Sequence, residues 1–157
     1  MIRQCRERIA RLVGLSSPEH VVFGYNTTDG LNLGIKGVLR HARRVRGPGA
    51  RLHVVSTAME HNSVLRPLNA LRQDDPGIEW TTVDVDPATG LADPGDIRRA
   101  VRPGSTVLVA INHASNVTGT VQDLVAIGDE CRRFGAGGES KDGLLLLVDG
   151  AQSLGHI

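Results

Sequence analysis

The stretch GLLLLVDGAQS, residues 143–153, decides the fold. Its apolar run, 144–148, is short, unbroken and followed by a carboxylate, a glycine and small polar residues. A run of this length is typical of a strand buried on both faces inside a parallel sheet. Asp149 follows the run directly. It is therefore predicted to lie at the carboxyl end of the strand, where open α/β sheets bind their ligands.

Asp149 is expected to be a buried carboxylate at the mouth of an apolar layer. Such a group neutralises itself or costs several kcal/mol unless a cation pairs with it. No Lys or Arg follows Asp149 in the sequence, so the partner is either a distant Arg or a bound cation. The alternative interpretation is an Asp that only caps the turn after the strand. This stretch alone does not separate the two.

Composition excludes several classes of protein. The 157 residues suit one domain with a sizeable core. A formal net charge of +1 and 3% aromatic residues give no basis for binding nucleic acid or an anionic membrane. No apolar run approaches the roughly 20 residues of a membrane span, and the first residues lack the apolar core of a signal peptide. Cys5 and Cys131 stand far apart without metal-type spacing, which favours a reduced, cytoplasmic compartment.

Predicted strands and helices alternate along the chain. Strands are predicted at 21–25, 51–55, 78–85, 106–111 and 144–148, and helices at 3–13, 31–39, 62–71, 93–101 and 124–134. Asp93 and Pro94 are typical of a helix N-cap and first turn. We predict a solvated basic loop at 41–50 and a flexible turn at 135–142. Strands joined by helices imply an α/β fold with a parallel sheet and right-handed crossovers.

Polar clusters follow four of the predicted strands, at 27–28, 57–62, 112–118 and 149–153. The carboxyl ends of parallel strands share one sheet edge, so we expect these clusters around one pocket. Thr27 and Thr28 open a helix, where free N–H groups and hydroxyls make a phosphate site. The alternative there is an ordinary Thr N-cap. His61 offers a flat ring, although a lone His is more often structural, and Asn116 offers an amide.

Two other kinds of site fit the sequence less well. A Rossmann nucleotide site needs G-x-G-x-x-G after the first strand, and the sequence has none there. A metal site built from His53, His61 and His113 is conceivable, because all three can lie near the same edge. His53, however, falls within a predicted strand, and scattered histidines are usually structural. We therefore expect no metal.

Four segments occur in an order that resembles a known family. They are NTTDGLN at 26–32, MEHNSVLRPL at 59–68, SNVTGT at 115–120 and VDGAQSLGH at 148–156. These segments resemble the class V aminotransferases, which are pyridoxal phosphate (PLP) enzymes of fold type I, and most of all their cysteine desulfurase and selenocysteine lyase branch. The resemblance implies a three-layer sandwich with a mostly parallel sheet. It divides the chain into an N-terminal helix and loop at 1–20 and an incomplete PLP-binding large domain at 21–157.

The resemblance also implies a cofactor site, formed by Thr27, Thr28, His61, Asn116, Asp149 and Gln152. Asp149 matches the carboxylate that pairs with the pyridinium nitrogen, which would supply the missing cation and keep the ring an electron sink. His61 matches the histidine that stacks on the ring and assists proton transfer, so it is the catalytic candidate.

The remaining matched residues would hold the other atoms of the cofactor. Asn116 and Gln152 match the residues that hydrogen-bond the phenolic oxygen of the ring. Thr28, with the backbone of Thr27, matches the phosphate cradle.

The sequence departs from the family pattern after Gln152. The family's Ser/Thr-x-His-Lys segment, whose Lys bonds the cofactor covalently, is not found. Lys36 and Lys141 are the only lysines, and neither fits that motif. Two further strands of the family's sheet are also not found. The strands are therefore expected to pair in the order third, second, fourth, fifth. The strand at 21–25 then has no direct neighbour, and the strand at 144–148 lies on an exposed edge.

We interpret the chain as the N-terminal part of a longer enzyme, poorly stable on its own. The implied activity is release of sulfur or selenium from cysteine or selenocysteine, with transamination also open. The chain alone is expected to be inactive without the lysine. The resemblance implies a homodimer, a small amino-acid substrate and a sulfur-acceptor protein as partners. The alternative is a catalytically inactive binding or assembly module that keeps the PLP half-site.

Overall fold

The computed structural model describes residues 1–135 and 143–157. Lys141 and nearly all of the turn predicted at 135–142 lie outside the described residues. The elements are α1 (Ile2–Leu12), a 3-10 helix (Pro18–His20), α2 (Thr27–Arg46), β1 (Leu52–Thr57), α3 (Asn62–Asp74), β2 (Ile78–Val83), α4 (Pro94–Ala100), β3 (Thr106–Asn112), α5 (Leu124–Gly135) and β4 (Leu145–Asp149). No helix within the described ranges is long and apolar enough to cross a membrane.

Four parallel strands form one sheet in the order β2-β1-β3-β4. In terms of the predicted strands this is the order third, second, fourth, fifth, so the expected pairing is confirmed. β1 and β3 lie in the centre of the sheet, and every residue of both strands is buried. The ladder between β3 and β4 pairs Asn112 with Asp149. The carboxyl ends of these two strands therefore lie level at one edge.

Helices cover both faces of the sheet and give the predicted three-layer α/β fold. On one face, Ile35 of α2 packs in a core cluster with Val54 of β1. On the other face, Ile97 of α4 and Ile127 of α5 share a second cluster with Val55. Val54 and Val55 are neighbours in β1, and they serve opposite cores because successive strand residues point to opposite faces.

The prediction of a strand at 21–25 is wrong. This segment lies outside any helix or strand, and no described strand pairs with it. Val21 is buried, whereas Val22, Phe23 and Tyr25 are exposed. An apolar pattern becomes a strand only when a neighbour satisfies its backbone hydrogen bonds. The outcome follows from the expectation that this segment has no direct neighbour in the sheet.

The prediction that 144–148 is buried on both faces is also wrong. Within the described chain, β4 pairs only with β3 and forms an edge of the sheet. Leu145 is 48% exposed and Val148 is 36% exposed, because α2 and α5 cover this edge strand only in part. The exposed edge matches the expectation drawn from the missing strands. Asp149, at the end of β4, is nevertheless buried.

The basic loop predicted at 41–50 is largely a helix. α2 continues to Arg46 and ends at Gly47, whose φ of 91° suits a residue without a side chain. Arg43 and its basic neighbours lie in the last turn, where their positive charge interacts favourably with the negative end of the helix dipole. Arg43 Nε also donates to the Asp75 carboxylate at 3.0 Å. The basic residues therefore form the last turn of α2, and Arg43 attaches this turn to Asp75.

Candidate functional site

One open cavity lies where the ends of β3 and β4 meet the first turns of α2 and α3. Its walls include all six residues matched to the cofactor site, namely Thr27, Thr28, His61, Asn116, Asp149 and Gln152. Ser63, Asn112, Ala114 and Ala151 complete the lining. The structure thus brings four separate segments to one place, while the role of each residue there stays a prediction.

Asp149 is the buried carboxylate of the cavity, with 4% of its surface exposed. Its Oδ1 accepts the backbone N–H of Ala151 at 3.0 Å, so it does cap the turn after β4. Its backbone carbonyl accepts the N–H of His113 at 3.0 Å. Within residues 1–135 and 143–157, no Arg, Lys or His forms an ion pair with Asp149. Turn capping therefore leaves its demand for a cation unmet.

The first turn of α2 forms the part of the wall that contains Thr27 and Thr28. The N-cap is Asn26, whose side-chain oxygen accepts the N–H of Asp29 at 2.8 Å. The alternative prediction of a Thr N-cap is therefore wrong, and the two threonines are helical residues. The N–H groups of Thr27 and Thr28 have no acceptor within the helix because of their position in its first turn. Together with the positive end of the helix dipole, they suit an anion.

His61 begins α3 and is tied to the first turn of α2. Its Nδ1 accepts the backbone N–H of Ser63 at 3.2 Å, which makes His61 the N-cap. The Ser63 hydroxyl lies 2.9 Å from the same Nδ1 and 2.8 Å from the hydroxyl of Thr28. Because Nδ1 is an acceptor here, the neutral imidazole carries its proton on Nε2. Ser63 is buried and was not singled out from the sequence, although it lies within the MEHNS motif.

Asn116 and Gln152 supply the amide side chains of the wall. Both residues are exposed. In the part of the chain that the structure describes, neither side-chain amide has a hydrogen-bond partner. Each amide has two donors and one acceptor oxygen, so both residues can bind polar ligand atoms.

A contact between His113 and Ser153 holds the turn that follows β4. His113 Nδ1 lies 2.8 Å from the Ser153 hydroxyl, and Ser153 is 1% exposed. The backbone N–H of His113 bonds the same turn at Asp149. The β3 end and the turn that contains Asp149 and Gln152 are therefore joined by both backbone and side chain. A spacing of forty residues along the chain hides this contact from sequence inspection.

Glu60 is a second buried carboxyl near this edge, and the sequence pattern did not identify it. It is 7% exposed and does not line the cavity of Asp149. Its Oε1 accepts the Thr57 hydroxyl at 2.7 Å, while Oε2 has no hydrogen-bond partner among the described residues. Burial raises the pKa of Glu60 to about 7, and the negative charge of Asp149 adds to the increase. Glu60 directly precedes His61, and this position could have marked it as a site residue, but the sequence does not show that Glu60 is buried.

His53 lies apart from the other two histidines of the conceivable metal site. It is within β1, where Nδ1 lies 2.8 Å from the Thr106 hydroxyl and Nε2 lies 2.8 Å from the Thr81 hydroxyl. Burial, followed by the positive charge of Arg102, lowers the pKa of His53 to about 4. Both ring nitrogens are therefore engaged in contacts between strands of the sheet. Among the described residues, no group of three His, Cys, Asp or Glu side chains is arranged to hold a metal ion.

Comparison with known proteins gives consistent matches. The family model for Aminotransferase class-V matches residues 1–157. Cysteine desulfurase IscS from Photobacterium profundum is 36% identical over 152 residues, covering 97% of this chain and 33% of that protein. Selenocysteine lyase from Bos taurus is 33% identical over 171 residues, covering 99% and 38%. The solved structure of SspA in complex with cysteine is 30% identical with a TM-score of 0.80, covering 97% of this chain and 39% of that one.

These matches agree with the fold. The chain spans about a third of the length of the curated relatives it matches. Its parallel sheet with helices on both faces is the architecture of fold type I PLP-dependent enzymes. The family model covers every residue from 1 to 157. This chain therefore belongs to the class V aminotransferase family, whose members depend on PLP.

Proposed function

We propose that this chain forms the cofactor-binding half of the active site of a PLP enzyme that releases sulfur from cysteine or selenium from selenocysteine. One observation carries the proposal. Asp149 is a buried carboxylate without a cation in the described chain, and it shares a cavity wall with the five other matched residues. The relatives support the substrate class, because they are named cysteine desulfurase and selenocysteine lyase and one solved relative is in complex with cysteine.

The donors and charges of the cavity fit PLP. A protonated pyridine nitrogen is a cation of the kind that Asp149 lacks. A phosphate group suits the first-turn N–H groups of α2 at Thr27 and Thr28, where the helix dipole favours negative charge.

Four residues of the wall have defined roles in this proposal. When bound, PLP supplies an electron sink for a bond broken on the substrate. Asp149 would hold the proton on the ring nitrogen. His61 would place its imidazole against the ring, with Nδ1 fixed by Ser63 and Nε2 left to hold or move a proton. The amides of Asn116 and Gln152 would orient the ring through its oxygen substituent.

We further propose that the lysine that bonds PLP covalently comes from sequence beyond residues 1–157. Lys36 lies on α2 and lines a neighbouring cavity with Arg66, not the cavity of Asp149. Lys141 lies outside the described residues. In this proposal residues 21–157 are an incomplete PLP-binding domain, and the chain alone does not turn over substrate. The short coverage of the curated relatives supports it.

The proposal includes a homodimer and a sulfur-acceptor protein as partners. His61, Asn116 and Gln152 are exposed, and excluding water from an active site strengthens the electrostatic interactions inside it. A second subunit or a further domain would close the site to water. Cys5 and Cys131 are both free thiols, which supports a reducing, cytoplasmic location.

Asp149→Asn tests the cofactor assignment. Titration of the full natural protein with PLP, followed by absorbance, is expected to show binding weakened about 10-fold or more, because a hydrogen bond to a charged group contributes about 1.5–3 kcal/mol. Asp84→Asn is the matched control, because it changes an exposed carboxylate one residue after β2. The control is expected to bind as the wild type does. Equal PLP affinity for Asp149→Asn and wild type would refute the assignment.

Activity separates the enzyme from the inactive module. The full natural protein, given cysteine or selenocysteine with a thiol reductant, is expected to form sulfide or selenide, and the 157-residue chain is expected to form neither. A full protein that binds PLP without releasing sulfur or selenium would point to the binding module. The relatives do not favour that outcome, since they are named as enzymes.

A further inference from the structure

The turn between β1 and α3 is built around the carboxyl group of Glu60. Its Oε1 accepts the Thr57 hydroxyl at 2.7 Å and the Thr57 N–H at 3.4 Å. The same Thr57 hydroxyl accepts the N–H of Met59 at 3.2 Å. The carboxyl group therefore closes the turn onto the end of β1. The next residue is His61, so the place where α3 begins depends on this closure.

The same turn is also held from β3. The Asn112 side-chain amide donates to the Met59 carbonyl at 3.3 Å, and the backbone of Asn112 interacts with the Glu60 carboxyl group and lowers its pKa. Asn112 in turn pairs with Asp149 across the β3–β4 ladder. Glu60 and Asp149 are thus two buried carboxyl groups on either side of the carboxyl end of β3. Asn112 and His61 connect Glu60 to the cavity of Asp149, and Glu60 also lines a neighbouring cavity with His61 and Asn116.

The charge state of Glu60 follows from this placement. Its Oε2 is buried without a hydrogen-bond partner in the described chain, which disfavours a negative charge there. Asp149 of β4 is the charged group that acts on Glu60 among the described residues, and its charge is also negative. Burial, with a smaller contribution from the charge of Asp149, outweighs the hydrogen bonds from Thr57 and Asn112 that favour the charged form, and it raises the pKa of Glu60 to about 7. Near pH 7 about half of the molecules therefore carry this proton.

We infer that Glu60 is a positioning residue of the proposed PLP site, where its carboxyl group accepts from Thr57 and fixes the turn before His61 beside the buried carboxylate of Asp149. The inference rests on the proposed function. It has a consequence that packing alone does not give. A cation bound to Asp149 offsets one of the charges that favour the proton on Glu60, so loading the cofactor is expected to lower the pKa of Glu60 and to release part of a proton near pH 7.

The test compares Glu60→Gln, Glu60→Ala and Glu19→Gln in the full natural protein. Glutamine keeps the shape and neutrality of the protonated group, whereas Glu19 is an exposed control. We expect Glu60→Gln to bind PLP within about 3-fold of wild type and Glu60→Ala to bind about 10-fold more weakly. Thermal unfolding of Glu60→Gln shows whether the variant is folded, so the comparison does not depend on the alanine variant.

Proton release gives the deciding measurement. Calorimetric titration with PLP near pH 7, in buffers of different ionisation enthalpy, is expected to show up to about half a proton more released by wild type than by Glu60→Gln. The Glu19→Gln control is expected to match wild type. Equal proton release by wild type and Glu60→Gln, or PLP binding by Glu60→Gln as weak as by Glu60→Ala, would overturn the inference while the Asp149 assignment stands. Failure of the wild type to bind PLP would overturn both.

Discussion

Replacing His53 by Gln is expected to change how folding stability depends on pH. His53 is 1% exposed, and its two ring nitrogens contact hydroxyls on both neighbouring strands, Thr81 of β2 and Thr106 of β3. A protonated ring would place a cation inside the sheet and lose its acceptor nitrogen. The folded protein therefore holds this imidazole neutral, which is the physical meaning of its lowered pKa.

The expected magnitude follows from the two pKa values. The pKa of His53 is about 4 in the folded chain, compared with 6.5 for a free histidine. Between these values the unfolded chain binds the proton and the folded chain does not. The stabilising contribution is therefore complete above pH 6.5 and is lost as the pH falls towards about 4. A pKa difference of this size corresponds to a loss of about 3 kcal/mol in the free energy of unfolding.

Glu60 acts in the opposite direction over nearly the same range. Its pKa is about 7 in the folded chain and 4.5 in the unfolded chain, so the folded chain binds more protons between these values. The contribution of Glu60 to stability therefore falls by about 3 kcal/mol as the pH rises from about 4.5 to about 7. In wild type the two slopes nearly cancel between about pH 4.5 and pH 6.5. In His53→Gln the Glu60 slope is expected to stand alone.

Urea unfolding at a series of pH values from about 4 to about 8 measures this difference. We expect the unfolding free energy of His53→Gln to fall as the pH rises, whereas that of wild type changes little until acid unfolding begins. His20→Gln is the matched control, because His20 is exposed. If His53→Gln and wild type differ by the same amount at every pH, the reasoning about the buried imidazole is refuted.

Two further predictions concern the site and the sheet edge. Ser63→Ala removes the hydroxyl that contacts both Thr28 and His61, and is expected to weaken PLP binding about 5-fold, since one hydrogen bond contributes about 1 kcal/mol. A PLP titration against the exposed-site control Ser16→Ala checks this, and equal affinities would contradict it. Leu145→Lys places a charge on the exposed edge strand and is expected to reduce self-association of the 157-residue chain in sedimentation experiments. Unchanged self-association at equal concentration would show that β4 is not the surface through which the chains associate.

The parts of the fold that follow from local pattern could be predicted from the sequence. The run before Asp149 is apolar and ends abruptly, so both the strand and the place of the carboxylate follow from it. The clustering of His61, Asn116 and Asp149 follows from a general property of parallel sheets, whose strand ends share an edge. Thr28 joins them from the first turn of α2, although no strand precedes it. The order of the strands came from the family resemblance, since local pattern carries no information about pairing partners.

The parts that depend on distant partners could not be predicted. Val22 and Phe23 have the composition of a strand, but only a neighbour would make them one. The last turns of α2 were predicted as a loop because the sequence does not reveal that Arg43 meets Asp75. Burial of Glu60 is likewise a property of the folded turn, because a Glu after a strand is normally solvated.

The pairing of Asn112 with Asp149 has a consequence for how this protein tolerates changes in chain length. The register of the β3–β4 ladder determines the position of Asp149. A shift of one residue in this register moves a side chain by about 3.3 Å along the strand and turns it to the other face of the sheet. A single-residue insertion or deletion within β4 would turn the carboxylate to the opposite side of the sheet while leaving the composition of the strand unchanged. Length variation among related sequences is therefore expected to stop at the first residue of β4, and alignments that place a gap between Leu145 and Asp149 misplace this buried carboxylate.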